Sequence, residues 1–169
     1  MSTRPLIIET PRLFLFEFAP VDAQCFYDLN ADKEVMQYTG DEPFKSVEES
    51  ESFIKNYTAY KEYGFGRWTV VLKEEKTPIG WCGLKQHPNG MVDLGYRLQK
   101  QFWRKGYATE AAKASLVYGF EQLGIREIIG RTAKANRASI SVLEKIGMTF
   151  WKEAPCEGIQ DSIYYKIAQ

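Results

Sequence analysis

Histidine and cysteine are scarce in this sequence: one histidine and three cysteines among 169 residues. Cys25, Cys82 and Cys156 are odd in number, far apart and without a Cys-x-x-Cys pair, which argues against a disulfide framework or structural zinc. They read as small buried hydrophobes. One histidine and scattered acids supply no ligand spacing, so no metal is expected. A nucleophilic serine in a Gly-x-Ser-x-Gly elbow is missing, as are Gly-x-Gly-x-x-Gly and Gly-x-x-x-x-Gly-Lys-Ser/Thr nucleotide loops. Net charge is missing too, since 22 basic residues balance 22 acidic ones, and neither nucleic acid nor a membrane is expected as a partner. No run approaches a membrane span and the start lacks the apolar core of a secretory signal, so a cytoplasmic protein is expected. With no repeat, low-complexity tract or linker, residues 1–169 read as one domain.

What the chain does have is 44% hydrophobic residues, enough for one core. Leu13 to Phe18 is an aromatic run suited to a first strand, and Asp22 suits the N-cap of a helix from Ala23 to Asn30. Ser46, with Glu49 three residues on, predicts a capping box for a second helix carrying Phe53, Ile54 and Tyr57 and ending at Gly64 and Gly66. Strands are expected at Arg67–Leu72, Ile79–Leu84 and Met91–Leu98, the last two joined by an exposed His87-Pro-Asn-Gly90 turn. Ala112, Leu116, Phe120 and Leu123 share one face of a helix from Ala108 to Leu123, which Gly124 stops. A strand at Glu127–Thr132, a helix at Arg137–Ile146 and strands at Met148–Ala154 and Ser162–Ile167 complete the order. The fold class is α/β (α+β), one mixed sheet with helices on both faces.

The chemistry gathers where the third of these strands gives way to the long helix, at Trp103-Arg-Lys-Gly-Tyr-Ala108. First-turn helix N–H groups lack intrahelical acceptors and carry partial positive charge, so such a junction can hold phosphate, and Gly106 lets the anion approach the main chain. Arg97, Lys100, Arg104 and Lys105 lie between Leu94 and Thr109 with no acid among them. In a neutral protein this marks a local anion site.

This segment resembles the Gln/Arg-x-x-Gly-x-Gly/Ala signature of the GCN5-related N-acetyltransferase superfamily. Trp103 departs from its first position but suits the RimJ/RimL-type branch. Glu9-Thr-Pro-Arg-Leu13, Asp93-Leu-Gly-Tyr96, Gly106-Tyr-Ala-Thr-Glu-Ala111, Asn136-Arg-Ala-Ser139 and Val142-Leu-Glu-Lys-Ile-Gly-Met148 extend the resemblance over nearly the whole chain. It implies a three-layer fold with a mostly antiparallel sheet, a splayed pair of central strands, and acetyl-CoA as co-substrate for transfer to a primary amine. It also implies that main-chain groups around Tyr96, Arg97 and Leu98 hold the pantetheine arm. Amides from Arg104 through Lys105, Gly106, Tyr107 and Ala108 to Thr109 would hold the pyrophosphate, with Trp103 opening the loop, and Asn136 and Ser139 would stand beside the pantetheine. Asn136 reads equally well as a helix N-cap.

Acetyl transfer to an amine needs a neutral amine, a donor for the developing oxyanion and a proton for the departing thiolate. The resemblance offers the N–H near Arg97 or Leu98 for the oxyanion, Asp93 as base through water, and Ser139 as acid, because the superfamily's usual tyrosine position is Leu143. Glu110 is the second candidate base, and its place in the first helical turn is equally explained by dipole stabilisation. The acceptor is expected among Ala23 to Gly64 and Pro155 to Asp161, where Tyr38, Asp41, Glu42, Glu48, Glu49 and Glu51 form an acidic stretch, with Trp68 either lining the cleft or in the core. A peptide or protein α-amine leads; a polyamine, amino acid or aminosugar acceptor and an acetyl-CoA sensor of little turnover stay open, as does a homodimer.

Overall fold

The computed structural model describes residues 3–169. Eight strands form one sheet: β1 (Leu6–Glu9), β2 (Leu13–Phe16), β3 (Arg67–Leu72), β4 (Pro78–Gln86), β5 (Val92–Leu98), β6 (Glu127–Ala133), β7 (Thr149–Glu153) and β8 (Ser162–Ala168), in the spatial order β1-β2-β3-β4-β5-β6-β8-β7. Every neighbouring pair is antiparallel except β5 and β6. The helices are α1 (Ala23–Ala31), α2 (Lys33–Met36), α3 (Val47–Lys55), α4 (Ala59–Tyr63), α5 (Tyr107–Glu121) and α6 (Arg137–Lys145).

Two apolar clusters place the layers. Leu84, Leu94 and Leu98 of the sheet pack with Ala112 and Leu116 of α5 and Leu143 of α6. The other face meets α1 and α3 through Phe26 and Ile54, with Trp81 against them. Each fully buried Leu or Ile contributes about 1.5–3 kcal/mol relative to exposure, so Leu13, Leu15, Leu29, Ile79, Leu84, Ile128 and Leu143 anchor the sheet between its layers. Trp68 belongs here: it is buried and edge-on to Tyr118.

Several expectations are revised. An extra edge strand, β1, precedes the aromatic run; with four residues and one buried side chain it carries too short a pattern to stand out. Asp22 does not cap α1. Its carboxylate is fully buried and accepts from Arg4, Thr69 and Ala19, tying the chain entering α1 to β3. The second helix is two helices, α3 and α4, parted at Asn56, and Ser46 caps the first through Glu49 N at 3.1 Å. Tertiary bonds bend the chain there, since the Tyr57 hydroxyl accepts from Arg67 N at 2.9 Å and Tyr60 donates to the Arg67 carbonyl. Cys25 and Cys82 are buried as expected, whereas Cys156 is half-exposed in the β7–β8 loop.

Candidate active site

The phosphate cradle forms where β5 feeds α5. Gly106 is the residue before α5 and has φ 81°, a left-handed conformation that favours glycine, and Arg104 shares that region at φ 60°. None of the six amides from Arg104 to Thr109 donates to a protein acceptor among the described residues. Six consecutive free donors at a helix start, flanked by Arg104 and Lys105, fit a pyrophosphate. The other two basic residues are elsewhere: Lys100 pairs with Glu34 and Arg97 with Asp41.

Arg12 braces this loop from the entry to β2. Its Nε meets Glu110 Oε2 at 2.7 Å, its Nη1 donates to the Lys105 carbonyl at 2.9 Å, and its guanidinium lies 4.4 Å from the centre of the Tyr107 ring. Thr10 and the Arg12 amide donate to Glu110 Oε1 at 2.7 and 2.9 Å. Burial pushes the Glu110 pKa up, but these donors outweigh it and hold the carboxyl below its usual range. Glu110 is therefore an anchor of the cradle. Trp103 closes the loop on the strand, donating from Nε1 to the Leu98 carbonyl at 2.8 Å.

The splayed pair is present. β5 and β6 are in register only at Asp93↔Ile129 and Leu94↔Gly130, although both run on for several residues. Strand alternation decides which main-chain groups face the gap. Gln99 N donates to Ile79 O at 2.9 Å, and the Arg97 carbonyl is turned toward Gly80 of β4. Tyr96 and Leu98 thus face the gap, and Arg97 does not. The expectation of Arg97 main chain at the pantetheine is corrected on this ground; its side chain reaches Asn30 at 3.0 Å and Asp41 at 2.6 Å on the other face of the sheet.

On the α6 side of the gap, the Tyr96 hydroxyl donates to the Ser139 carbonyl at 2.9 Å and lies 2.9 Å from Ser139 Oγ. Burial pushes its pKa up, against the opposing hydrogen bond with Ser139, so it stays protonated. Asn136 caps α6 by accepting from Ser139 N at 3.2 Å, leaving its amide nitrogen without a protein partner among the described residues. Leu143 is core, packed against Gly130, so no hydroxyl can stand at that position.

Across the sheet, a cleft of about 560 Å³ opens between the α1–α4 layer and β3–β5. Phe18, Phe26, Phe44, Phe53, Tyr57 and Trp81 wall it. Of the acidic stretch, only Asp41 and Glu42 line it; Glu51 pairs with Lys55, and Glu49 accepts from Lys45 N. The Pro155–Asp161 loop lies outside this lining, Gly158 packing on the Gly40 main chain beside Asp41.

Asp93 lies at the base of the site, 2% exposed. Arg67 Nη2 donates to Oδ1 at 3.1 Å and Arg131 Nη2 to Oδ2 at 3.0 Å; His87 Nε2 contacts Oδ2 as well. Burial alone would push its pKa up. The His87 hydrogen bond and the two guanidinium groups prevail and hold it well below the usual carboxylate range. His87 is thus no exposed turn residue: its side chain is 11% exposed and turned onto the strand. Arg67, Trp81 and Arg131 escaped the sequence reading. Only the glycine in Asp93-Leu-Gly-Tyr96 hinted at the first two, because a Cβ on Gly95 would stand 2.7 Å from Arg67 Nη2 and 3.1 Å from the Trp81 ring.

The sequence profile of the acetyltransferase (GNAT) domain matches residues 12–149. The chain belongs to the GNAT family. The uncharacterized N-acetyltransferase YnaD of Bacillus subtilis is 32% identical over 169 residues, covering 96% of each chain. The FsC-acetyl coenzyme A-N(2)-transacetylase of Aspergillus fumigatus is 30% identical, over 96% of this chain and 76% of its own. An acetyltransferase of Agrobacterium tumefaciens C58 superposes with TM-score 0.83 at 27% identity, over 100% of this chain and 97% of that one. This GNAT protein is an acetyl-CoA-dependent N-acetyltransferase. Its cradle and splayed strands are residues of the right kind, rightly placed, for acetyl-CoA.

Proposed function

We propose that this enzyme acetylates the α-amine of a peptide or protein N-terminus, by direct transfer with both substrates bound. The cradle and the cleft approach the same stretch of β5 from opposite faces of the sheet, so acetyl donor and amine can meet without a covalent enzyme intermediate. Acetyl-CoA supplies the activated acetyl thioester when bound. In this reading the amides from Arg104 to Thr109, with Lys105 beside them, hold its pyrophosphate, and Tyr96, Leu98 and Asn136 hold its arm. Ser139, steadied by Tyr96, is the hydroxyl positioned to release a proton where the thiol departs.

The observation that carries the choice of amine is the capture of Asp93 by Arg67, Arg131 and His87. A carboxylate so stabilised is a weak proton acceptor, so Asp93 becomes a positioning residue for Arg67 and the base role passes to solvent. Such a site suits an amine that is already partly neutral: an α-amine has a pKa of about 7.7–8.0, against about 10.4 for lysine. Arg67 nearby lowers it further, since a cation disfavours a second one.

The test compares kcat/KM, by thiol release and product mass, for peptides with free N-termini, the same peptides α-blocked but carrying lysine, and spermidine. The free α-amine is expected to lead. A preference for blocked lysine peptides or for spermidine overturns the reading.

A further inference from the structure

Arg67 has far more hydrogen-bonding capacity than the protein uses. A guanidinium carries five N–H donors and is charged at any physiological pH. Among the described residues its one side-chain hydrogen bond runs from Nη2 to Asp93, and its Nε is buried with no partner at all. A buried donor left unpaired is costly, and natural sites seldom keep one without a use.

The group is also held in place. It lies 4.5 Å from the centre of the Trp81 ring and across Gly95, where any side chain would displace it. Gly95 immediately follows the last residue of β5 paired with β6, so this guanidinium lies where the two strands part. Its exposed part lines the acceptor cleft.

Charge around it is unbalanced. Arg67 and Arg131 share the single carboxylate of Asp93, and Lys85, which also lines the cleft, has no ion pair among the described residues. Arg97 is already matched by Asp41. The floor of the cleft therefore carries surplus positive charge, while the carboxylates of Glu42 and Glu62 line it elsewhere.

We infer that the acceptor carries a carboxylate on the same residue as its reacting amine, and that this carboxylate binds Arg67 through the Nη donors the protein leaves free. The inference rests on the reading of this cleft as the acceptor site. Two sources share that chemistry: the α-carboxylate of a free amino acid, and the side chain of an N-terminal aspartate or glutamate in a peptide. The aromatic walls would take the apolar remainder. Arg67 then orients the amine toward the strand gap.

The experiment uses matched pairs, phenylalanine against phenylalaninamide and a glutamyl peptide against its glutaminyl counterpart. Both kcat/KM and the calorimetric affinity of the N-acetylated products for the enzyme with coenzyme A are measured. In at least one pair the carboxylate member should lead by roughly tenfold or more, the scale of a charge-assisted hydrogen bond. Which pair shows it identifies the source. In Arg67→Gln the preference should fall to about twofold or less while acetyl-CoA affinity holds, and Arg67→Lys, which keeps a cation on Asp93, should fall between. Equal values within each wild-type pair, or no product binding, overturn the inference, as does a preference that survives in Arg67→Gln. Carboxylate-selective product binding without α-amine turnover supports the inference and overturns the α-amine proposal instead.

Discussion

Asp93 stands in a motif visible from the sequence, yet what it does was decided by residues remote in the chain. Arg67 lies 26 positions before it and Arg131 38 positions after, on the strands β3 and β6. Burial with three donors turns a candidate base into a fixed anion. The consequence for stability has a sign. The folded-state pKa is depressed, so the contribution is fully present above the unfolded-state value of about 3.9 and is lost as pH falls below it toward the folded-state pKa. Asp93→Asn should cost about 3–5 kcal/mol at pH 7, the range for breaking one side of a buried charge cluster. Urea unfolding of both proteins at pH 7, 5 and 3 checks this: the difference should hold between pH 7 and 5 and narrow at pH 3. A gap that is the same at all three would mean the side chain acts through shape and not charge. Asn136, by contrast, caps α6 by accepting from Ser139 N, as its place in the sequence allowed, because a helix cap is a short-range arrangement that four residues can specify alone.

At the scale of elements, the junction of β5, the Trp103–Gly106 loop and α5 was legible because its ingredients are consecutive: a strand, a glycine, free helix donors and two cations. Its brace was not, since Arg12 and Glu110 are 98 positions apart and only the sheet and α5 together align them. Two substitutions separate ligand contact from support. Gly106→Glu places a carboxylate beside the free amides and a side chain at φ 81°, and calorimetry should detect no acetyl-CoA binding in a folded protein. Arg12→Ala leaves the amides in the chain but releases the loop and Tyr107, so binding should weaken by roughly tenfold, as for loss of a partly exposed charge-assisted contact. If Arg12→Ala binds as well as the parent, the loop is rigid without its brace. The break between α3 and α4 and the edge strand β1 were illegible for a related reason. Neither contains enough residues for a period to register, and the hydroxyls of Tyr57 and Tyr60 that bend the α3–α4 chain do so by reaching the main chain of Arg67 in β3 and of Phe18 after β2.

Across the whole molecule, the strand gap and the cleft both depend on one strand, with Tyr96 and Leu98 facing the gap, Gly95 seating Arg67, and Arg97 directed into the cleft. Acetyl-CoA should therefore stabilise the entire domain: at one hundred times its dissociation constant the gain is about 2.7 kcal/mol, a rise in Tm of about 5–10 °C for a chain this long. Thermal unfolding with acetyl-CoA, ATP and NAD checks it, and an equal shift with all three would indicate a general anion effect. The sequence by itself determined the class of fold and the order of nearly every element, because periodicity, caps and glycine loops are written in contiguous residues, and the acetyl donor followed from the motifs that resemble the acetyltransferase superfamily. Only the tertiary structure decided that Glu110 is a brace, that Asp93 is held by His87 and two arginines, that the Arg97 side chain faces the cleft, and that Arg67 lies at the strand gap with donors to spare. Those depend on which strands lie side by side and which face each side chain takes. Hydrogen bonds and ion pairs act over about 3 Å, and residues far apart along the chain come within that range only once the sheet has formed.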